Sequence, residues 1–370
     1  MPSPRYAGAV AALARGVLAR ALQAHAWPGG VLALASSTSD DILIPHGLQR
    51  YDGPRPVRAS DYVDLASLTK VVATTTATML AMERGLLGLD DPVARFLPAF
   101  IDLARAPSPP RRAVTIRHLL THSAGFPAHL AFHQRLDLPP AARPQAVLQT
   151  ALTAPPGHAT VYSDIGMMVL GFVLDEAFGR PWPGVLHEAV FAPLGMRQTR
   201  FCLPPWRRDR ALPTECSAPG GEAWQGVVHD ENARWLGGVA GHAGLFATAA
   251  DLCRLARLLL RRGEGPDGRL LQAETIAQFT RPAGRVPGSS RCLGWDSPSE
   301  NSSGGAHLSA SSFGHTGFTG TSLWIDPEAD LAVILLTNAV HPRRECRLEH
   351  GFFEWRRRVH SAAYEALGLV

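Results

Sequence analysis

The stretch from Ser67 to Met82 constrains this chain more than any other part of it. Leu68, Val71, Val72, Thr75, Met79 and Met82 recur at intervals of three and four, the period of a helix, and Gly85 after Arg84 marks its C-terminal cap. Thr74, Thr75, Thr76 and Thr78 are poor helix formers, so this helix persists only if packing inside the protein overrides local preference. It must be central. The same stretch carries Lys70, the only lysine among 370 residues; every other basic side chain of the Lys and Arg total is an arginine. An ammonium can lose its proton and a guanidinium cannot, so one retained lysine points to chemistry. Ser67 stands three residues earlier, one turn away on the same helix face, and the two form a candidate nucleophile and base pair. Ser-x-x-Lys also fits an ordinary helix start with Ser67 as the N-cap; the uniqueness of the lysine favours function.

The length exceeds the roughly 250–300 residues at which a single core stops growing, so two lobes are expected. A hydrophobic content of 46% suffices for both. The sequence pI near 9.0 comes with a formal charge of only +4, and the arginines form short runs such as Arg207-Arg208 and Arg356-Arg357-Arg358. No aromatic-interleaved basic stripe accompanies them, which argues against nucleic acid as a partner. Cys202, Cys216, Cys253, Cys292 and Cys346 are widely spaced with no C-x-x-C, the pattern of reduced thiols and not of a disulfide framework or zinc knuckle. His118 and His122 stand four apart, but Leu119 occupies the place where a zinc protease carries its glutamate. His229 and His242 fit structural or rim roles better than ligation, so neither a metal nor an organic cofactor is expected.

The N-terminus, Arg5 followed by Tyr6 to Ala14, imitates a poor signal peptide. Val10, Leu13, Val17, Leu18 and Leu22 continue at helical spacing, which suits an amphipathic helix, and the expectation is a cytoplasmic protein, with a periplasmic or secreted one as the alternative. No stretch reaches the ~18–20 apolar residues of a membrane span. Strands are expected at Val31 to Ala35, Ile42 to Ile44 and around Tyr51 to Arg58. From Leu86 to about Gln198 the sequence reads as helices joined by Pro and Gly loops, including Gly166 to Phe178. The glycine-dense run Gly237 to Gly244 lacks the Lys-Ser/Thr pair of a phosphate cradle. Asp251 to Leu260 forms an amphipathic helix, and residues 281–312 read as a polar, mobile connection. Thr321 to Ile325 and Leu331 to Thr337 make a hairpin about the turn at Asp326 to Asp330, and Phe352 to Leu367 is a closing helix.

Ser67-x-x-Lys70, Tyr162-Ser163-Asp164 and His315-Thr316-Gly317, in that order, resemble the three motifs of the serine β-lactamase and penicillin-binding-protein superfamily. Its class C β-lactamase, DD-peptidase and esterase branch is the closest in pattern, and the resemblance spans nearly the whole chain. It implies an α/β fold, an antiparallel sheet flanked by helices with an inserted all-helical lobe. The expected division is 1–66 and 236–370 for the α/β lobe and 67–235 for the helical one. The resemblance further implies Ser67, Lys70 and Tyr162 as catalytic residues and Asp164, His315, Gly317 and Phe318 as substrate-binding ones, with the N–H groups of Ser67 and Phe318 as the oxyanion hole. Burial should lower the Lys70 pKa and let the amine take the serine proton, whereas a carboxylate at Asp164 would raise it; the two effects compete. Tyr162 serves as phenolate base or as proton relay. Asp164 stands where the family usually has Asn and can only accept hydrogen bonds when ionised, so it contacts a substrate amine or holds Lys70. His315 replaces a common lysine, and its charge should follow pH. Together these imply a serine hydrolase of small-molecule substrates, short D-amino-acid peptides or simple esters in preference to β-lactams. The alternative is a catalytically degenerate ligand-binding member of the same fold.

Overall fold

The apolar run after Pro28 becomes the middle of an antiparallel sheet because elements cover it on both sides. The computed structural model describes residues 7–102, 111–218 and 220–370; Arg5 and Tyr6 of the signal-like stretch and Pro219 lie outside them. In chain order the framing elements are α1 (Ala7–Leu13), β1 (Gly29–Ala35), β2 (Ile42–Gly47), α2 (Thr76–Glu83), α3 (Asp164–Phe178), α4 (Ala249–Leu260), β3 (Phe313–Gly317), β4 (Thr321–Asp326), β5 (Leu331–Thr337) and α5 (Phe352–Leu367). The five strands lie in the order β3-β4-β5-β1-β2, each antiparallel to its neighbours. Leu32 faces Leu335 on one side and Ile44 on the other.

Side chains alternate across the strands and each set finds its own cover. Leu32, Leu34, Val333 and Leu335 meet Leu13 and Leu18 from the N-terminal helical run, and Phe352, Val359 and Ala363 of α5. Val31, Ala33, Ile334 and Leu336 point the other way into a core that includes Leu252 and Leu255 of α4 and continues through Val71, Val72 and Met79 into the helical part. Every residue of β1 and β5 is buried, which is why these strands read as unbroken apolar runs. The fold is the expected one, an antiparallel sheet flanked by helices with a large helical insertion. No helix among the described residues is long and apolar enough to cross a membrane.

Three local expectations are corrected. Residues 51–58 form no strand and contribute only the bridge of Leu48 to Pro56. The 281–312 segment is fastened to the edge of the sheet, where Asp296 and Gly314 exchange backbone hydrogen bonds of 2.9 Å in both directions. The helix after Ser67 is wound as a π-helix over Lys70–Thr75 before it becomes α2. The Thr76 hydroxyl donates to the Val71 carbonyl five residues back at 3.0 Å, and π turns of this kind gather at functional sites. The buried threonines also fasten the glycine run: Thr74 donates to the Gly241 carbonyl at 2.6 Å and Thr69 accepts from the Leu245 N–H at 3.1 Å. Gly241 lies so close to α3 that a Cβ there would meet the Met167 carbonyl at 2.0 Å. Those glycines permit close packing.

The segment that delivers Ser67 is tied to the sheet by two hydrogen bonds and one close backbone approach. Ala66 has φ +46°, a left-handed conformation that costs a non-glycine residue about 1–2 kcal/mol. Buried Asp64 holds it there by accepting from the Ala66 N–H at 2.9 Å and from the His229 N–H at 2.6 Å. Thr319 donates to the Asp64 carbonyl at 2.7 Å and Thr321 to the Leu65 carbonyl at 3.0 Å. Gly317 completes the seam, since a Cβ there would stand 2.4 Å from the Leu65 carbonyl. The end of β3 therefore lies flush against the residues before Ser67.

Two outcomes follow for stability. Asp64→Ala leaves the Ala66 and His229 N–H groups buried without acceptors, at about 1–3 kcal/mol each; a urea titration should show a lower midpoint with an unchanged slope. The second concerns buried imidazoles. Burial pushes His122 and His315 well below the ordinary 6.5 and brings His360, held by Ser322 at 2.8 Å, down to about 3. The unfolded chain then binds more protons than the folded one at acid pH, so stability is full above about pH 6.5 and is lost as pH falls toward about 3. Calorimetric Tm should start to drop near pH 6.5, before the carboxylates titrate.

Candidate active site

Ser67 precedes the first helical residue, Leu68, and is half-buried at the floor of a cleft. The helix behind it presents its positive end to Ser67. Lys70, one turn further in, has no solvent exposure. Its Nζ donates to Ser67 Oγ at 2.8 Å, to Asp164 Oδ1 at 2.8 Å and to the His242 carbonyl at 3.1 Å, so the ammonium's three protons are all placed. Burial by itself draws this amine toward neutrality, but the Asp164 carboxylate, helped by Tyr162, outweighs it and the Lys70 pKa is raised. The competition left open by the sequence is settled against a depressed lysine. Asp164 shows the reciprocal effect: burial opposes its ionisation, yet Lys70 first and His129 next hold it well below the carboxylate range. Asp164 is thus the partner of Lys70, and its second oxygen lies 3.8 Å from His129 Nδ1. That contact raises the His129 pKa.

Tyr162 arrives from the loop before α3, where Ser163 caps the helix by accepting from the Gly166 N–H at 3.3 Å. Its ring centroid is 4.9 Å from Lys70 Nζ and 5.0 Å from the Arg291 guanidinium carbon. His122 grips both flanking peptides: the Val161 N–H donates to its carbonyl at 2.9 Å and the Ser163 N–H to its Nδ1 at 3.1 Å. An Nδ1 that accepts requires a neutral ring. Burial supplies the reason, with Arg291 and Lys70 adding repulsion. The His122 and Tyr162 rings are 4.6 Å apart.

His315 lies on edge strand β3, buried, with Nδ1 2.8 Å from the Thr316 carbonyl and its ring 5.8 Å from that of Tyr162. Burial, then Arg291 and Lys70, keep it neutral far below its ordinary value. The expectation of a charge that follows pH is corrected, because enclosure of the motif histidine depends on contacts from distant parts of the chain. Phe318, just past Gly317, is 41% exposed and lies beneath Arg347, whose guanidinium carbon is 3.4 Å from the ring centroid. Among the described residues neither the Ser67 nor the Phe318 N–H donates to a backbone carbonyl, which leaves both available at the cleft.

The cleft has a volume of about 280 Å³ and brings together Ser67, Tyr162, His315, Gly317 and Phe318. Lys70 and Asp164 stand directly behind. His229 and His242 belong to different pairs, His229 to Glu215 at 2.9 Å and His242 to Asp230 at 2.8 Å, and they share no ligand cluster. The five cysteines are free thiols. Sequence reasoning passed over Arg291 and Asp64 and weighed His122 only beside His118 as a metal pair; His122 meets Ser163 across 41 positions and Asp64 meets His229 across 165. Only the glycine run around His242 carried a signal, as a place of close backbone approach.

Comparisons with known proteins bear on the family and the fold. The family model described as Beta-lactamase matches residues 8–350. A protein of Escherichia coli (strain K12) named "Putative D-alanyl-D-alanine carboxypeptidase" is 31% identical over 323 residues, covering 79% of this chain and 74% of its own. Among solved structures, EstCE1, titled a hydrolase with promiscuous acyltransferase activity, superposes with TM-score 0.76 at 25% identity, over 96% of this chain and 98% of its own. A penicillin-binding protein homologue from Pyrococcus abyssi superposes with TM-score 0.68 at 20% identity, over 92% of this chain and 75% of its own. The match over almost the whole length, with the fold and a serine, lysine and tyrosine gathered in one cleft, places this chain in the Beta-lactamase family as a serine hydrolase.

Proposed function

We propose that the protein hydrolyses short peptides ending in D-amino acids, or simple esters, through an acyl-enzyme on Ser67. The observation that carries this reading is the 2.8 Å contact between Ser67 Oγ and the wholly buried Lys70 Nζ. Lys70 is held as an ammonium by Asp164, so it steadies negative charge on Oγ and does not remove the proton. Tyr162, whose ring lies 4.9 Å from Lys70 Nζ and 5.0 Å from the Arg291 guanidinium carbon, acts as the base that takes the Ser67 proton as Oγ bonds to the substrate carbonyl. The carbonyl oxygen becomes an oxyanion that accepts from the Ser67 and Phe318 N–H groups. On collapse the bond to the leaving group breaks, and Tyr162 returns its proton to that group. Water then attacks the acyl-enzyme by the same steps in reverse, with Tyr162 as base. The relative named for carboxypeptidase action at D-alanyl-D-alanine supports the peptide reading, and the neighbour described as a hydrolase with promiscuous acyltransferase activity supports acyl transfer.

β-Lactams fit less well. An Asn at position 164 could donate an amide hydrogen to a substrate carbonyl, whereas the Asp164 carboxylate only accepts and is already engaged by Lys70.

A second reading, a binding protein that has lost turnover, is favoured by that same clamp on Lys70. A fluorophosphonate label separates the two. The hydrolase reading expects a mass adduct on Ser67, hydrolysis of p-nitrophenyl esters or D-Ala-D-Ala peptides above that of nitrocefin, and a fall in kcat/KM of about 10³-fold or more in Ser67→Ala. No adduct on Ser67 removes it.

The assignment of the proton carrier has its own test. Asp164→Asn takes away the charge that raises Lys70, so the lysine should deprotonate at lower pH. With Tyr162 as base and Lys70 required as a cation, the alkaline limb of kcat/KM moves to lower pH in the variant. A gain of activity at neutral pH would instead identify neutral Lys70 as the base.

A further inference from the structure

The segment between β5 and α5 carries donor groups that the acyl transfer does not use. Cys346 opens a short helix, Cys346–Glu349, and His350 follows at its end. Residues spaced i, i+3 and i+4 share one helix face, so Cys346, Glu349 and His350 turn the same way. The Cys346 sulfur, a Glu349 carboxylate oxygen and a His350 ring nitrogen lie within 4.8 Å of one another. Among the described residues no other three His, Cys, Asp or Glu side chains gather in this manner. Cys346 is 4% exposed, and its free thiol makes no hydrogen bond among the described residues. The thiols of Cys202 and Cys292, by contrast, donate to the Gly237 and Thr280 carbonyls at 3.4 and 3.2 Å.

His25, at the end of the N-terminal helical run, adds a fourth donor. Its ring centroid is 6.2 Å from that of His350, and two imidazoles on one tetrahedral zinc ion stand roughly 5 Å apart by the same measure. Tyr51 fixes the His25 backbone, its hydroxyl donating to the His25 carbonyl at 2.6 Å. Glu349 is the one member already engaged, since Arg343 donates to its two oxygens at 2.6 and 2.5 Å. Each carboxylate oxygen keeps a further lone pair for an ion, and ligating carboxylates are ordinarily held by such an outer partner. A sulfur, two imidazoles and one carboxylate suit zinc better than magnesium or calcium, which take oxygen ligands. Ligands of tetrahedral zinc stand about 3.3–3.8 Å apart, so closure requires shifts of about an ångström at exposed Glu349 and half-buried His350.

We propose that Cys346, Glu349 and His350, with His25 as fourth ligand, form a zinc site; none of them lines the cleft. Zinc takes the Cys346 sulfur as thiolate, and the thiol proton passes to solvent. The ion fastens residues 343–350 to the N-terminal helical run. The same residues hold Arg347 over the Phe318 ring at 3.4 Å, with Nη1 donating to the Phe318 carbonyl at 2.9 Å. They also hold Arg344 between Glu215 and Glu231, at 2.7 and 2.6 Å. Zinc thus steadies the part of the cleft beside the Phe318 N–H and adds no group to the chemistry.

Cobalt(II) serves as the probe, with tag-free full-length protein stripped by a chelator under reducing conditions. A near-ultraviolet sulfur-to-cobalt charge-transfer band should grow to about one equivalent. It should vanish in Cys346→Ser and persist in Cys202→Ser and Cys216→Ser, the thiols that are not fully buried. In competition with a chromophoric chelator, Zn2+ should bind with a Kd of about 1 μM or tighter. His350→Ala, Glu349→Gln and His25→Ala should each weaken it by about tenfold or more. The first two act at the surface, so they decide the matter should Cys346→Ser fail to fold. Zn2+ should also raise the Tm of the wild-type protein and leave that of His350→Ala unchanged. A band that is absent or survives Cys346→Ser overturns the proposal, as does zinc affinity unaltered by His350→Ala and Glu349→Gln. Unaltered affinity in His25→Ala alone removes His25 as the fourth ligand. None of these side chains belongs to the catalytic machinery, so failure to bind zinc leaves the hydrolase reading intact.

Discussion

One buried ammonium organises this molecule. Lys70 has no exposure, and its three protons go to Ser67, Asp164 and the His242 carbonyl. A charge so placed survives only because each proton has an acceptor and one acceptor is ionised. Each acceptor comes from a different part of the chain: the start of the Ser67 helix, the first turn of α3, and the glycine run before α4. The contacts that keep Lys70 charged therefore also lock three elements together. They convert what the motif suggests is a base into a fixed positive charge beside the serine oxygen.

Around that charge, the other polar side chains act mainly by placing backbone. Asp64 holds Ala66 in a left-handed conformation, Thr319 and Thr321 tie the Asp64 and Leu65 carbonyls to the sheet, and His122 fixes the peptides on either side of Tyr162. None of these need touch a substrate. They determine where the Ser67 oxygen, the Tyr162 ring and the end of β3 stand relative to one another, and positioning at this level governs rate in acyl transfer. The neutral state of His122 and His315 belongs to the same design. Both are enclosed near two cations, and a protonated ring at either place would add a third positive charge to a volume that already holds Lys70 and Arg291.

The elements were legible in the sequence wherever burial is one-sided or complete over many residues. The α5 boundaries and the β4 and β5 hairpin follow from periodicity and turn residues, and so does the end of α3 at Phe178; its start lies two residues before Gly166, at the Ser163 cap. Legibility failed where long-range contact replaced local preference. The π winding of Lys70–Thr75 depends on packing around the helix, and the pairing of Asp296 with Gly314 joins a polar, Gly/Ser-rich segment to an edge strand. Arg291 looks like any other arginine in a chain that uses arginine almost everywhere. Only its place in the cleft distinguishes it.

The sequence by itself determined that a serine, the chain's only lysine, a tyrosine and a strand-edge histidine stand in the order of one family's motifs, and that the lysine's helix is buried. Spacing and composition suffice for that, since helix period and residue chemistry are local properties. Tertiary structure alone decided how the charges are settled. Asp164 reaches Lys70 across 94 positions, and His315 is enclosed. Protonation depends on burial and on which charges lie within a few ångströms, and neither is written in local sequence.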